Sequence, residues 1–136
     1  MTKAAIETRS VIVEREIPHS PEKIWRALTE PHLIEEWLMK NDFEPVADHK
    51  FNLRGDWGAV DCQVLKIDPP RTLSYSWAAN GLESVVTWTL TPTSAGAKLR
   101  MEQSGFRPDQ EQFYQGAKMG WGNFLSNLER VLARTD

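Results

Sequence analysis

The chain has 136 residues, of which 40% are apolar, and its formal net charge is -3. This length predicts a single domain over residues 1–136, with a core at about residues 8–134, and the acidic balance disfavours a nucleic acid or an anionic membrane surface as partner. The apolar runs are far shorter than the roughly 20 residues that span a bilayer, and the single Cys62 fits a reducing compartment, so a soluble cytoplasmic protein is expected.

The N-terminal third predicts one strand followed by two short helices. Apolar side chains alternate over residues 8–17, which is typical of a strand. Ser20 followed by Pro21 indicates a helix start, with serine as the N-cap and proline in the first position. A second start follows at Thr29-Glu30-Pro31, and the apolar side of that helix includes Trp37. We therefore expect a break between two short helices.

Residues 51–103 have the period-two pattern of an antiparallel meander. In "TLSYSW" the side chains of Tyr75 and Trp77 share one face. By the same alternation, Trp88 in "SVVTWTL" and Met101 in "AKLRMEQ" lie on an apolar face. Short apolar and polar alternations of this kind describe strands with one dry and one wet face. The sequence thus predicts a sheet whose dry face carries several large aromatic side chains.

The last segment predicts a long amphipathic helix. Asp109 is a candidate N-cap with Gln112 in the capping-box position, and a helix from there to Arg134 spans about 39 Å. This helix contains three glycines, each of which lowers helix stability by about 1 kcal/mol relative to alanine. They are Gly116, Gly120 and Gly122. Either the helix approaches another element closely there, or the small residues leave space for a ligand.

Five sequence segments, in this order, resemble one protein family. They are "IPHSPEKIWRALTEPHLIEEWL", "VLKIDPPRTLSYSW", "SVVTWTLTP", "KLRMEQSGF" and "GWGNFLSNLERVL". They resemble the family homologous to the C-terminal domain of the heat-shock-protein-90 ATPase activator, within the START-like, birch-pollen-allergen-like superfamily. The resemblance implies an α+β helix-grip fold, in which a curved antiparallel sheet wraps around a long C-terminal helix and two short helices follow the first strand.

The residue types that bind metals or act as nucleophiles form no recognisable motif. His19, His32 and His49 lie too far apart in the sequence for a compact ligand set, and Cys62 has no second cysteine. No Gly-rich phosphate loop or G-x-S-x-G segment is present. We therefore expect no metal and no cofactor, and we assign no catalytic residue.

The aromatic residues of the predicted dry face and the long helix are the strongest site candidates. They describe either an ordinary packed core or the wall of an enclosed apolar cavity beneath residues 113–121. Arg15 shares the strand face of the apolar positions and is expected at the rim, where it meets a ligand carboxylate or a neighbouring acid. The predicted wall comprises Trp37, Trp57, Cys62, Tyr75, Trp77, Trp88, Met101, Gln103, Phe113 and Trp121.

A binding protein is the function that these features favour. The predicted partner is an apolar or aromatic small molecule held between the sheet and the C-terminal helix. The resemblance implies two alternatives, because relatives include activators of a chaperone ATPase, and the superfamily also includes cyclases and hydrolases. A chaperone is therefore a possible second partner, and an enzyme acting on a ligand in the same cavity is the third hypothesis.

Overall fold

The strands and helices occur in the predicted order in the structure, a computed structural model that describes residues 8–56 and 58–135. The strands of that part are β1 (Arg9–Ile17), β2 (Lys40–Asn41), β3 (Lys50–Gly55), β4 (Gly58–Asp68), β5 (Thr72–Ala79), β6 (Leu82–Thr93) and β7 (Gly96–Phe106). The helices are α1 (Pro21–Thr29), α2 (Pro31–Trp37) and α3 (Glu111–Ala133), the last preceded by a short 3-10 turn (Pro108–Gln110). Within the described residues the strands form one curved antiparallel sheet in the order β1-β7-β6-β5-β4-β3-β2. The predicted α+β helix-grip fold is confirmed.

The two short helices begin at the predicted residues. The Ser20 hydroxyl oxygen accepts a hydrogen bond from the Lys23 backbone N–H at 3.2 Å, which caps α1, and Pro21 occupies the first helical position. Helix α2 starts at Pro31 and ends at Trp37. Both helices contact α3. They therefore hold the long helix at one end of the sheet.

The large aromatic side chains of the meander lie on one face, as their spacing predicts. Tyr75 and Trp77 are two residues apart on β5, so both side chains point to the same side of the sheet. Trp77 lies opposite Ser84 on β6, and Trp88 lies opposite Met101 on β7. All five of these side chains are buried. Strand register thus gathers them beneath the long helix.

A tight hairpin joins β5 to β6 at the edge of this region. Asn80 and Gly81 form its two-residue loop with φ angles of 53° and 85°, a left-handed pair typical of a type I′ turn. Glycine has no steric cost at such an angle, and asparagine tolerates it better than most residues. The turn brings Ala79 and Leu82 together at the end of the hairpin.

The start of α3 differs from the prediction. Asp109 is not its N-cap, because it lies within the 3-10 turn and its carboxylate accepts from the Arg107 side-chain Nε at 3.2 Å. The Gln110 side-chain oxygen instead accepts from the Arg107 backbone N–H at 3.0 Å. Pro108 is the first residue of the 3-10 turn and favours it, so α3 begins only after the turn, at Glu111.

The two halves of α3 are packed differently. In residues 111–120 no side chain is buried, whereas the second half supplies several core residues. These are Trp121, Leu125, Leu128, Val131 and Leu132. Only the second half is therefore fully anchored in the core. No helix in the described part of the chain is long and apolar enough to cross a membrane.

Candidate functional site

A pocket of about 400 Å³ lies between the first half of α3 and the end of the β5–β6 hairpin. Most of its lining is apolar, and the pocket is open to solvent. The cavity expected beneath residues 113–121 is thus an open pocket rather than an enclosed one. Its lining residues are Trp77, Ala79, Asn80, Leu82, Gln103, Gln112, Phe113, Gly116, Ala117, Gly120, Trp121 and Phe124.

Two tryptophans held by a chain of hydrogen bonds form the floor of the pocket. The Trp77 and Trp121 ring centroids are 5.2 Å apart with the planes tilted by 56°. The Trp121 indole N–H donates to the Gln103 side-chain oxygen at 2.7 Å, and the Gln103 amide donates to the Ser84 hydroxyl oxygen at 2.9 Å. The Ser84 hydroxyl donates to the Trp77 carbonyl oxygen at 2.9 Å. Because these polar groups are buried and paired, the floor is held in one arrangement.

Two glycines of α3 form the roof. A Cβ atom built at Gly116 or Gly120 would meet no heavy atom within 4 Å apart from the helix's own backbone and chain neighbours. The helix is therefore not pressed against another element at these positions. The sequence allowed two explanations for these glycines. The geometry agrees with the one in which they leave space for a ligand, and it disagrees with the one in which the helix closely approaches another element.

The mouth of the pocket carries two carboxamides and one phenyl ring. Asn80 lies in the hairpin turn, Gln112 lies in the first turn of α3, and Phe113 is 39% exposed. Within the described residues the side chains of Asn80 and Gln112 make no hydrogen bond. The Gln110 amide donates to the Gly81 carbonyl oxygen at 3.3 Å and so ties the hairpin to the beginning of the helix.

Four of the predicted wall residues line this pocket, namely Trp77, Gln103, Phe113 and Trp121. Sequence reasoning did not assign six further lining positions to the wall. These are Ala79, Asn80, Leu82, Gln112, Ala117 and Phe124. The Asn-Gly turn and the helical spacing of Phe124 were visible signals, but which of these residues meet depends on where α3 leaves the sheet.

Trp37, Tyr75 and Trp88 lie deeper, in a cluster of aromatic side chains beside the pocket. The Trp37 and Trp88 rings are edge-on at 5.6 Å, and the Trp88 and Trp121 rings are also 5.6 Å apart. Their indole N–H groups are satisfied inside the protein: Trp37 donates to the Ala27 carbonyl oxygen at 2.8 Å, and Trp88 to the Tyr75 hydroxyl oxygen at 2.9 Å. These side chains fill the space behind Trp121 and do not line the pocket.

Three other predicted residues lie away from the pocket or outside the described chain. Met101 and Cys62 are buried in the core. Burial, with smaller contributions from the charges of Asp61 and Asp42, raises the pKa of the Cys62 thiol to about 12, so the nucleophilic thiolate is scarce at neutral pH. Trp57 lies outside the residues that the structure describes.

Arg15 contacts a helix residue rather than the pocket. Its guanidinium donates to the Glu129 carboxylate at 2.5 Å and to the Gly122 carbonyl oxygen at 3.5 Å. Both partners belong to α3, so the contact ties β1 to the helix. Two partners were expected for Arg15, a ligand carboxylate or a neighbouring acid, and the partner in the structure is the neighbouring acid Glu129.

The histidines lie apart in the structure. His49 Nε2 is 3.0 Å from the Asp42 carbonyl oxygen, and His19 Nδ1 is 3.3 Å from the Lys23 ammonium. Burial and the Lys23 charge lower the pKa of His19. Among residues 8–56 and 58–135, no three His, Cys, Asp or Glu side chains form a group that could hold a metal ion.

Comparisons with known proteins give a family and several structures of the same fold. The sequence model of a family described as "Activator of Hsp90 ATPase homolog 1-like protein" matches residues 18–133. Protein MLL2253 from Mesorhizobium loti is 61% identical with a TM-score of 0.92, and the match covers 94% of this chain and 99% of that chain. No curated protein matches the sequence.

Two more distant structures match over a smaller share of their own length. CalU16 from Micromonospora echinospora is 25% identical with a TM-score of 0.81, over 93% of this chain and 78% of that chain. DynU16, from the dynemicin biosynthetic locus, is 25% identical with a TM-score of 0.80 over 92% of this chain. The match covers 47% of DynU16, so this chain spans about half of its length.

Proposed function

The chain belongs to the family of Activator of Hsp90 ATPase homolog 1-like proteins, and from the pocket we propose that it binds an apolar or aromatic small molecule between the sheet and the first half of α3. The observation that carries this proposal is the pocket of about 400 Å³ under a helix roof made of Gly116 and Gly120. Ligand pockets commonly fall between roughly 300 and 1,000 Å³ and are mostly apolar with a few polar groups.

The energetic argument comes from the helix glycines. Each costs about 1 kcal/mol of helix stability relative to alanine, and neither Gly116 nor Gly120 gains a close contact in return. Space above Trp77 and Trp121 is what the two glycines provide. A ligand filling that space would cover apolar surface that now faces water, including that of Phe113, which is 39% exposed; such burial is favourable at roughly 25 cal/mol per Å² before the costs of association.

Binding is a better account of this pocket than catalysis. Acid–base or nucleophilic catalysis of the cyclase or hydrolase type needs an ionisable or nucleophilic side chain within reach of the substrate. Among the described residues that line the pocket, none is Asp, Glu, His, Lys, Arg, Ser, Thr, Tyr or Cys. The setting of DynU16 in a biosynthetic locus agrees with a small molecule as ligand or substrate and does not separate binding from catalysis.

Proton–nitrogen NMR of the protein titrated with naphthalene tests the proposal directly. The indole N–H signals of Trp77 and Trp121 should shift, because both rings line the pocket. The Trp37 indole signal is an internal reference, since its N–H is paired with Ala27 in the core. Shifts that are absent at saturating naphthalene, or that spread evenly over the protein, would contradict the proposal.

A matched pair of variants adds a steric test. Gly116→Leu puts a side chain into the pocket, whereas Gly122→Leu makes the same change on the same helix at a position that does not line it. Both substitutions gain helix propensity, and urea unfolding of each variant checks that it remains folded. Naphthalene binding should be lost in Gly116→Leu and retained in Gly122→Leu.

The family description supports a second candidate, activation of a chaperone ATPase. Met119 is 74% exposed on α3 and does not line the pocket, so a partner docked there would leave the pocket free. The test is ATP hydrolysis by Hsp90 with and without this protein, and with the Met119→Glu variant. Stimulation that is lost in the variant supports the candidate, and the absence of stimulation removes it.

A further inference from the structure

The polar groups of the pocket indicate its ligand class more narrowly. We propose that the ligand is an uncharged aromatic molecule that carries a hydrogen-bonding group at the pocket mouth; this inference rests on the proposed binding function. It follows from three features of the described lining: aromatic rings on several sides, neutral carboxamides at the mouth, and no charged side chain.

The aromatic rings surround the ligand space from sheet and helix. Trp77 and Trp121 form the tilted floor, while Phe113 and Phe124 extend along α3. The Phe124 ring packs against Trp121 at 5.6 Å with the planes at 67°. Offset and edge-to-face contacts with such rings favour a flat aromatic body over an aliphatic one of equal size, by about twofold to tenfold in affinity per ring pair.

The mouth offers neutral hydrogen-bonding groups. Asn80 and Gln112 each present a donor and an acceptor that have no partner among the described residues. The Trp77 indole N–H likewise makes no hydrogen bond to a described residue, and it is not sealed from solvent. A ligand amide, hydroxyl or carbonyl is matched by such groups. Gln103 is less available, because its oxygen and amide already bond to Trp121 and Ser84.

A charged ligand would find no counter-charge in the pocket. The ionisable residues near the start of α3 already have partners: Glu111 pairs with Arg9, and Arg107 pairs with Asp109. Lys118 lies 5.5 Å from the Tyr114 ring. A carboxylate at the mouth would lose part of its hydration without gaining a counter-charge, which is unfavourable. The pocket should therefore discriminate by charge between ligands of the same shape.

Three probes separate charge from aromaticity: 2-naphthamide, 2-naphthoate and decahydro-2-naphthamide at pH 7. The first two have nearly the same shape and differ in charge, while the first and third share the amide and differ in aromaticity. The measurement is the dissociation constant from the Trp77 and Trp121 indole signals. We expect 2-naphthamide to bind with a dissociation constant on the order of 1 mM or tighter, and the other two to bind at least about tenfold and about threefold more weakly, respectively.

A charge-gain variant tests the mechanism of discrimination. Gln112→Lys places a cation at the mouth, and Gln115→Lys adds the same charge on α3 at a position that does not line the pocket. The first should reduce the preference for 2-naphthamide over 2-naphthoate by about threefold or more, and the second should leave it unchanged.

The outcomes distinguish this inference from the function on which it rests. If 2-naphthoate binds as tightly as 2-naphthamide at the same indole signals, the charge inference is wrong and the binding function stands. If decahydro-2-naphthamide binds as tightly as 2-naphthamide, the aromatic part is wrong. If naphthalene and all three probes leave the Trp77 and Trp121 signals unmoved, the binding function itself fails.

Discussion

Alanine at the three glycines of α3 should stabilise the protein at every position but weaken ligand binding at only two. Gly116 and Gly120 line the pocket, and Gly122 does not. A Cβ atom at any of the three positions meets no heavy atom within 4 Å apart from the helix backbone and chain neighbours. The substitution therefore removes the entropic cost of glycine without a clash.

The expected gain is about 0.5–1 kcal/mol in the free energy of unfolding for each substitution. For the triple variant the sum is about 1.5–3 kcal/mol, because the three methyl groups do not touch any common neighbour. A domain of this size should then melt higher by about 2–8 °C per kcal/mol. Urea unfolding followed by tryptophan fluorescence gives the free energies, and calorimetry gives the melting temperatures.

Binding of naphthalene should separate the three variants. A methyl group at Gly116 or Gly120 occupies ligand space and should raise the dissociation constant by about threefold to tenfold, since the open mouth lets the ligand shift. Gly122→Ala should bind as the unmodified protein does. Stability that does not rise in Gly116→Ala and Gly120→Ala, or binding that weakens equally in all three variants, would refute the reasoning.

Three further predictions concern the floor, the thiol and the ion pair. Gln103→Leu leaves the Trp121 indole N–H without its acceptor and should lower the free energy of unfolding in urea by about 1–3 kcal/mol; a cost that is no smaller in a Trp121→Phe background would contradict the hydrogen bond. Because burial raises the pKa of Cys62 from 9.0 to about 12, iodoacetamide at pH 8 should alkylate the folded protein about a thousandfold more slowly than the unfolded chain. Between about pH 9 and pH 12 the unfolded thiol loses its proton while the folded one keeps it, so stability relative to Cys62→Ala should fall as pH rises, and a flat difference would argue against the shift. Glu129→Gln should cost less than about 1 kcal/mol in urea unfolding, because the Arg15 and Glu129 side chains are 31% and 39% exposed; a larger loss would indicate a pair shielded from water.

The side-chain period of the strands explains how much of the fold the sequence could predict. Because every second residue of a strand faces the same side, Tyr75, Trp77 and Trp88 could be assigned to one dry face without knowledge of the register. Proline at the first helical position likewise marked the starts of α1 and α2. The same local reasoning gave an incorrect start for α3, since Asp109 meets the requirements of an N-cap in sequence but lies within a 3-10 turn.

The sequence could not predict which residues line the pocket, and the reason is a different one. The large residues of a dry face are equivalent by period, so Trp88 and Trp77 looked alike as wall candidates. What distinguishes them is the point at which α3 leaves the sheet, because the second half of α3 supplies several buried side chains and residues 111–120 supply none. That point depends on contacts with α1, α2 and β1, which are distant in sequence.

Trp121 joins the packed core to the open pocket. Its ring meets Trp88 on the core side and Trp77 on the pocket side, and its indole N–H is held by Gln103. A displacement of Trp88 would therefore be passed to the pocket floor through ring contacts that have little room to adjust, since interiors are close-packed. The short helices α1 and α2 contribute to the same chain of contacts, because Trp37 of α2 packs against Trp88. The short helices thus help to set the shape of a pocket that they do not touch.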